Sequence, residues 1–258
     1  MTLENAFGLN SNWKFNTLGV YNFTDNRGPY YPLFEYISAH MNTLEGDILE
    51  AGTYKGRLTA ALAIHLKNAT SKKVVHTYDT FSGFPKLHPK DQIQNFKMLF
   101  EEGKISETHW DSIRFLQEIK EYFLESTVNV SNISTSLDFS DNSLTTAQRK
   151  FRFLGLDNIE IYVGDFVETM VVSERSPKQL FLSVIDCDLY EGYQNTLKFV
   201  WPKTVAGGLI FLDEYYSLKF PGPRYAVDEF LNTIKNYELI DIAGKHDDFE
   251  RWAIRKNG

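Results

Sequence analysis

A single-domain α/β fold, with a mostly parallel sheet and helices on both faces, is the architecture this sequence predicts. Three observations predict it. Short apolar runs bounded by turn residues alternate with stretches of helical spacing, the pattern of consecutive βαβ units. The first five runs end in Gly or an acidic residue, as strands do at the ligand-bearing rim of such sheets. A 258-residue chain that is 43% apolar can bury one sizeable core, so one domain with decorations is expected.

In chain order, the first strand covers Asp47 to Ala51 and stops at Gly52, and Leu58 to Leu66 follows with helical spacing. Lys73 to Asp79 is the second strand, closed by Thr80-Phe81-Ser82-Gly83-Phe84-Pro85. The third, Ile159 to Val163, runs into Gly164-Asp165, and the fourth is Leu180 to Asp186. A helix from Tyr193 to Trp201, ended by Pro202 and Gly207-Gly208, leads to a fifth strand, Leu209 to Leu212, which rises into Asp213-Glu214. A helix from Tyr225 to Lys235 precedes a closing antiparallel pair, Glu238 to Ile242 and Glu250 to Ile254, for seven strands in all.

Two stretches stand outside this alternation. Residues 1–46 carry Tyr30, Tyr31, Phe34 and Tyr36 on a helical face and are expected to cover a site mouth or a dimer partner in a homo-oligomer. Residues 86–147 form a polar, partly helical insertion too long for a plain loop, and long excursions of this kind serve as lids or substrate-binding segments. Its Ser- and Asn-rich run, Ser126 to Ser143, is expected to be the mobile part.

Composition narrows the partners. With 34 acidic against 27 basic residues, net −7, the chain lacks the clustered Lys and Arg that grip phosphate backbones, so nucleic acid is not expected. No run approaches the roughly 20 apolar residues of a membrane span, and Met1-Thr2-Leu3-Glu4-Asn5 lacks a signal-peptide layout. The single cysteine, Cys187, cannot form an internal disulfide, which fits a cytoplasmic location.

Three strand ends outline an adenosine-shaped cleft. Glu50-Ala51-Gly52-Thr53-Tyr54-Lys55-Gly56 is an acidic strand end followed by a tight Gly turn that lets backbone approach a ligand closely. It is not a dinucleotide fingerprint, since it has only two of the three glycines. Asp79, with Thr80 and Ser82 after it, is placed to accept hydrogen bonds from a ribose diol, and its bland alternative is a cap for the next segment. Gly164-Asp165-Phe166 can set a carboxylate near an adenine amino group with an aromatic ring beside the base, although a simple turn explains it nearly as well. Lys55 and Arg57 are further candidates for a ligand carboxylate, against the plainer reading of solvated cations.

The most informative pair of segments is Asp186-Cys187-Asp188-Leu189-Tyr190-Glu191 and Leu212-Asp213-Glu214-Tyr215. Two neighbouring strands would finish in acids on one rim, with no basic residue in the local sequence. Such crowding needs a cation or a shared proton, and hard oxygen ligands favour Mg²⁺, Ca²⁺ or Mn²⁺ over zinc. A purely structural role, with the acids capping helices, is the alternative.

In the order and approximate spacing of these motifs, together with Tyr78-Asp79-Thr80-Phe81-Ser82-Gly83-Phe84-Pro85, Gly164-Asp165-Phe166-Val167-Glu168-Thr169-Met170 and Gly207-Gly208-Leu209-Ile210-Phe211, the chain resembles the macrocin O-methyltransferase family from about Leu49 onward. The resemblance implies a Rossmann-like class I methyltransferase fold and S-adenosylmethionine as methyl donor. It also implies a divalent ion such as Mg²⁺ held by Asp186, Asp213 and Glu214, Asp188 as general base, and a hydroxyl of a sugar, glycan or natural product as acceptor. The chain departs from the family where an Asp pair is usual, since Glu214 takes the second place, and where Gly192 replaces a small hydroxyl residue. The insertion is also longer than the family's.

The expected chemistry is in-line transfer of the sulfonium methyl to the acceptor, with the proton taken by Asp188. His88 and His109 are alternative bases if the insertion folds over the acceptor, against the blander expectation of surface histidines. Two rivals carry different chemistry: a metal-dependent hydrolase, which leaves the Gly turn and Asp79 unused, and a binding or assembly protein that keeps the fold without catalysis.

Overall fold

The computed structural model describes residues 12–246 and 249–258; residues 1–11 of the predicted cover segment, including the run Met1 to Asn5, lie outside them. The first half gives α1 (Trp13–Leu18), α2 (Tyr31–His40), β1 (Asp47–Ala51), α3 (Arg57–Asn68), β2 (Val75–Asp79), α4 (Asn95–Glu101), α5 (Glu107–Leu124) and α6 (Leu144–Phe153). The second gives β3 (Ile159–Val163), α7 (Phe166–Thr169), β4 (Leu180–Ile185), α8 (Tyr190–Val200), β5 (Thr204–Ser217), α9 (Gly222–Leu231), β6 (Tyr237–His246) and β7 (Phe249–Lys256). The seven strands form one sheet in the order β3-β2-β1-β4-β5-β7-β6. Every neighbour pair from β3 to β5 is parallel, and β7 runs antiparallel to both β5 and β6.

All seven strands stand where the sequence predicts them. The largest difference is β5, which continues past Asp213 and Glu214 to Ser217, because Tyr216 and Ser217 pair with Glu250 and Phe249 of β7 after a register shift. The strand alternation divides the core. Ile48, Leu182, Val184, Leu209 and Phe211 point to the face covered by α2 and α3, through Leu33, Phe34, Ile37, Leu58 and Leu62. Leu49, Ala51, Ile185, Ile210 and Leu212, the intervening positions, face Tyr193, Leu197, Ala226 and Val227 of α8 and α9 and the insertion's Phe96, Leu99 and Ile113.

The run Ser126 to Ser143, expected to be mobile, is docked on the core through three of its side chains. Val128, Val130 and Ile133 are each about 1% exposed and form a third apolar cluster with Ile93, Leu189 and Phe220. These three apolar side chains, among many Ser and Asn, are what dock the run. Asp91 fastens the insertion from the other end: its Oδ1 accepts the Tyr190 N–H at 2.7 Å and its Oδ2 accepts the His88 N–H at 2.8 Å. Among the described residues no helix is long and apolar enough to cross a membrane.

Candidate functional site

Register builds the site. Ala51 lies level with Tyr78 on one side and Ile185 on the other, and Ile185 lies level with Leu212. The next residues, Gly52, Asp79, Asp186 and Asp213, therefore form a row along the carboxyl rim, centred where the strand order reverses between β1 and β4. That reversal is where open α/β sheets bind ligands. The Asp186 N–H donates to the Ala51 carbonyl and the Gly52 N–H to the Tyr78 carbonyl, both at 2.9 Å. Gly52 has φ +97°, and a Cβ there would sit 1.6 Å from the Asp186 carbonyl oxygen, so only glycine lets β1 and β4 stay this close at the rim.

One large cleft opens along this row. At one end its wall includes Glu50, Gly52, Thr53, Tyr54, Asp79, Thr80, Asp165 and Phe166. Asp79 is held by the N–H groups of Tyr54, at 2.7 Å, and Phe81, at 2.6 Å, so the strand-end acid does cap the turns beside it. Asp165 caps α7, accepting the Val167 N–H at 2.9 Å. Glu50 is buried beneath the Gly turn, accepting from the Thr59 and Thr77 hydroxyls, and burial pushes its carboxyl up to about 8.

Lys55, Gly56, Ser82 and Gly164 are not part of the cleft wall. The Lys55 ammonium pairs with Asp141, and Gly56 begins α3 with φ +66° against the Phe151 ring. Arg57 does line the cleft, with its guanidinium 4.6 Å from the Tyr21 ring centre and its Nε donating to the Gly19 carbonyl at 3.1 Å.

Asp186, Asp213 and Glu214 meet at the centre, each offering a carboxylate oxygen within 4.8 Å of the others. Asp186 is pushed up to about 7, first by burial and then by the charge of Asp213, against hydrogen bonds from Glu214 and Tyr30. Glu214 and Asp188 are held well above the usual carboxylate range by burial and by the neighbouring acids, with Lys219 pulling Asp188 the other way. Asp188 has φ +63°, a left-handed conformation that Asp tolerates better than most residues, and it too lines the cleft.

The local sequence offers the cluster no base, but the fold brings one to it. Arg251 reaches across from β7, its Nε donating to Asp213 Oδ1 at 3.0 Å. Tyr30, from the N-terminal segment, donates to Asp186 Oδ2 at 3.1 Å, and Tyr193 of α8 lies 2.6 Å from Glu214 Oε2. Each of the three carboxylates is thus in contact with a protein side chain. Sequence reasoning placed Tyr30 in a segment expected to cover a site mouth but gave Arg251 and Tyr193 no role there; a legible hint for Arg251 is its place on the inward-facing side of the run Phe249 to Ile254, in step with buried Ala253.

Further along the cleft lie Phe84, Lys86, Ser134, Ser136, Lys219 and Phe220, much of it supplied by the insertion. Neither histidine of that insertion lines it. His109 is no surface residue: it is buried, with Nε2 3.2 Å from the Ser217 carbonyl oxygen. His88 stacks on Tyr190 with ring centres 4.4 Å apart, and its side chain accepts the Lys90 N–H.

Residues 111–244, more than half of the chain, match the family described as macrocin-O-methyltransferase (TylF). Among solved structures, the O-methyltransferase NovP shares 20% identity over 88% of this chain and 80% of its own, with a TM-score of 0.60. The calicheamicin methyltransferase CalS11 shares 16% identity over 98% and 88%, with a TM-score of 0.61. An rRNA methylase from Streptococcus thermophilus shares 10% identity over 91% and 99%, with a TM-score of 0.50. At such identities the likeness concerns the fold. No curated protein matches the sequence.

Proposed function

The chain belongs to the macrocin O-methyltransferase family and is an S-adenosylmethionine-dependent methyltransferase, and from that premise we propose that it methylates a hydroxyl of a sugar or glycosylated natural product with the help of a divalent ion. The observation that carries this reading is the meeting of Asp186, Asp213 and Glu214 at the rim of a cleft whose other end bears Gly52 and Asp79.

The donor set suits a hard cation. Fully ionised, the three carboxylates with one arginine carry a net charge of −2, which a divalent ion neutralises, and oxygen donors are what Mg²⁺ or Mn²⁺ prefer. Such an ion would supply Lewis-acid stabilisation of the negative charge that develops on the acceptor oxygen. Burial and neighbouring acids make Asp188 a stronger base than an exposed carboxylate, so it suits removal of the acceptor proton. As that proton leaves, the acceptor oxygen forms a bond to the methyl carbon and the carbon–sulfur bond breaks, releasing S-adenosylhomocysteine. Gly52, Asp79 and Asp165 are positioned to bind the methyl donor's nucleoside, with the 86–147 insertion roofing the acceptor.

A second reading, transfer without a metal, is favoured by one observation: Arg251 already supplies a positive charge to Asp213, and Asp186 and Glu214 can share a proton. One assay separates the two. Labelled S-adenosylmethionine is offered with a panel of nucleotide sugars and macrolide glycosides, with Mg²⁺ or with EDTA. Transfer that EDTA stops supports the metal reading; transfer indifferent to EDTA supports the second. Binding of the methyl donor with no transfer to any glycoside argues against a sugar acceptor.

A further inference from the structure

The two departures in the sequence, Glu214 for an aspartate and Gly192 for a small hydroxyl residue, meet at one side chain. Tyr193 follows Gly192 on α8 and is fully buried. Its hydroxyl lies 2.6 Å from Glu214 Oε2 and 2.9 Å from the Ile185 carbonyl oxygen, and it accepts the Glu214 backbone N–H at 2.9 Å. One oxygen atom thus touches both ends of Glu214 and the last residue of β4. Tying a residue's carboxylate and its own N–H to the same atom folds the side chain back on itself, which restricts the additional torsion that Glu has over Asp.

Gly192 belongs to the same arrangement. A Cβ there would stand 2.9 Å from Cys187 Sγ, so the missing side chain lets α8 lie this close to the end of β4, and the Tyr193 hydroxyl reaches across to β5. The cysteine, the glycine, the tyrosine and the glutamate therefore fit as one unit.

We propose that Tyr193 is a positioning residue, which holds the Glu214 carboxylate beside Asp186 and Asp213 and so offsets the extra methylene. Its geometry stands alone, and its consequence for catalysis rests on the metal reading above. A contact of this kind orients a ligand without touching the ion, and losing one weakens metal binding about 10- to 100-fold.

Tyr193→Phe removes one oxygen and keeps the ring in the core, and two readouts judge it. In a crystal structure of the variant with S-adenosylhomocysteine, the Glu214 carboxylate is expected to leave its place beside Asp186; an unmoved carboxylate overturns the proposal. In a Mn²⁺ titration followed by electron paramagnetic resonance, affinity is expected to fall about 10- to 100-fold while S-adenosylhomocysteine affinity stays at the wild-type value. Equal Mn²⁺ affinity in the two proteins also overturns it. A wild-type protein that binds no Mn²⁺ sinks the metal reading instead, and the crystallographic readout then decides on Tyr193. If Tyr193→Phe does not fold, Tyr193→His, which is shorter and cannot place a donor at the same point, must displace Glu214 in the same way.

Discussion

Arg251 and Asp213 form an ion pair at 3.0 Å in which each side chain is 6% exposed. A pair this buried is a poor source of net stability, yet removing one partner leaves the other charge stranded. Asp213 also faces Asp186, so its charge has a second reason to need compensation. Arg251→Met is expected to destabilise the metal-free protein by about 3–5 kcal/mol in urea unfolding, the usual cost of stranding a buried charge. Added Mg²⁺ is expected to raise the melting temperature of the variant more than that of the wild type. Equal stability of the two proteins would show that the cluster does not depend on its arginine.

Glu50, which is not among the proposed ligands but feels the charge of Asp186, contributes a pH effect. Its folded-state carboxyl titrates at about 8, whereas an unfolded glutamate titrates near ~4.3. Between those values the folded state holds a proton that the unfolded state has released, so this group's contribution is fully present below the lower value and declines as pH rises through the upper one. The wild-type melting temperature should therefore carry a downward slope over that range, which Glu50→Gln makes shallower because the amide cannot ionise, while the raised carboxyl of Asp186 keeps part of it. Parallel melting curves for the two proteins from pH 5 to ~8.5 would contradict this.

Gly192→Ser restores the hydroxyl residue usual in the family but sets a Cβ 2.9 Å from Cys187 Sγ. Overpacking of this kind costs about 1–3 kcal/mol. Cys187→Ala removes the obstructing sulfur, so the double variant should recover most of that loss. Additive losses measured by chemical unfolding would mean that the two positions do not share the space.

Asp188 permits a test that leaves the backbone alone, since Asn also tolerates its φ of +63°. Asp188→Asn should bind S-adenosylhomocysteine as the wild type does and lose about 10²–10⁴-fold in turnover with whichever glycoside the assay identifies. Unaltered turnover would remove Asp188 from the role of base.

Most of the sheet was legible because each of the parallel strands carries an apolar run with a glycine or acid after it, and parallel register then lines those ends up without further information. Asp186 and Asp213 could be paired from sequence for that reason. Their protein partners could not: Tyr30 stands 156 positions from Asp186 and Arg251 stands 38 from Asp213, and only folding brings them together. Turn residues were ambiguous for another reason. Tyr54 and Thr80 line the cleft while Lys55 and Ser82 do not, since neighbours in a turn point different ways and spacing does not say which side meets the ligand. Ser126 to Ser143 looked mobile because composition averages over a run, and Val128, Val130 and Ile133 are too few to shift that average.

In the proposed function Asp186, just past β4, and Asp213 and Glu214, within β5, hold a divalent ion beside the methyl donor's cleft. A calorimetric titration of Mn²⁺ into protein saturated with S-adenosylhomocysteine tests it most directly. One ion per chain is expected, lost in Asp186→Ala while S-adenosylhomocysteine still binds; saturation with S-adenosylhomocysteine but no heat from Mn²⁺ would rule the ion out.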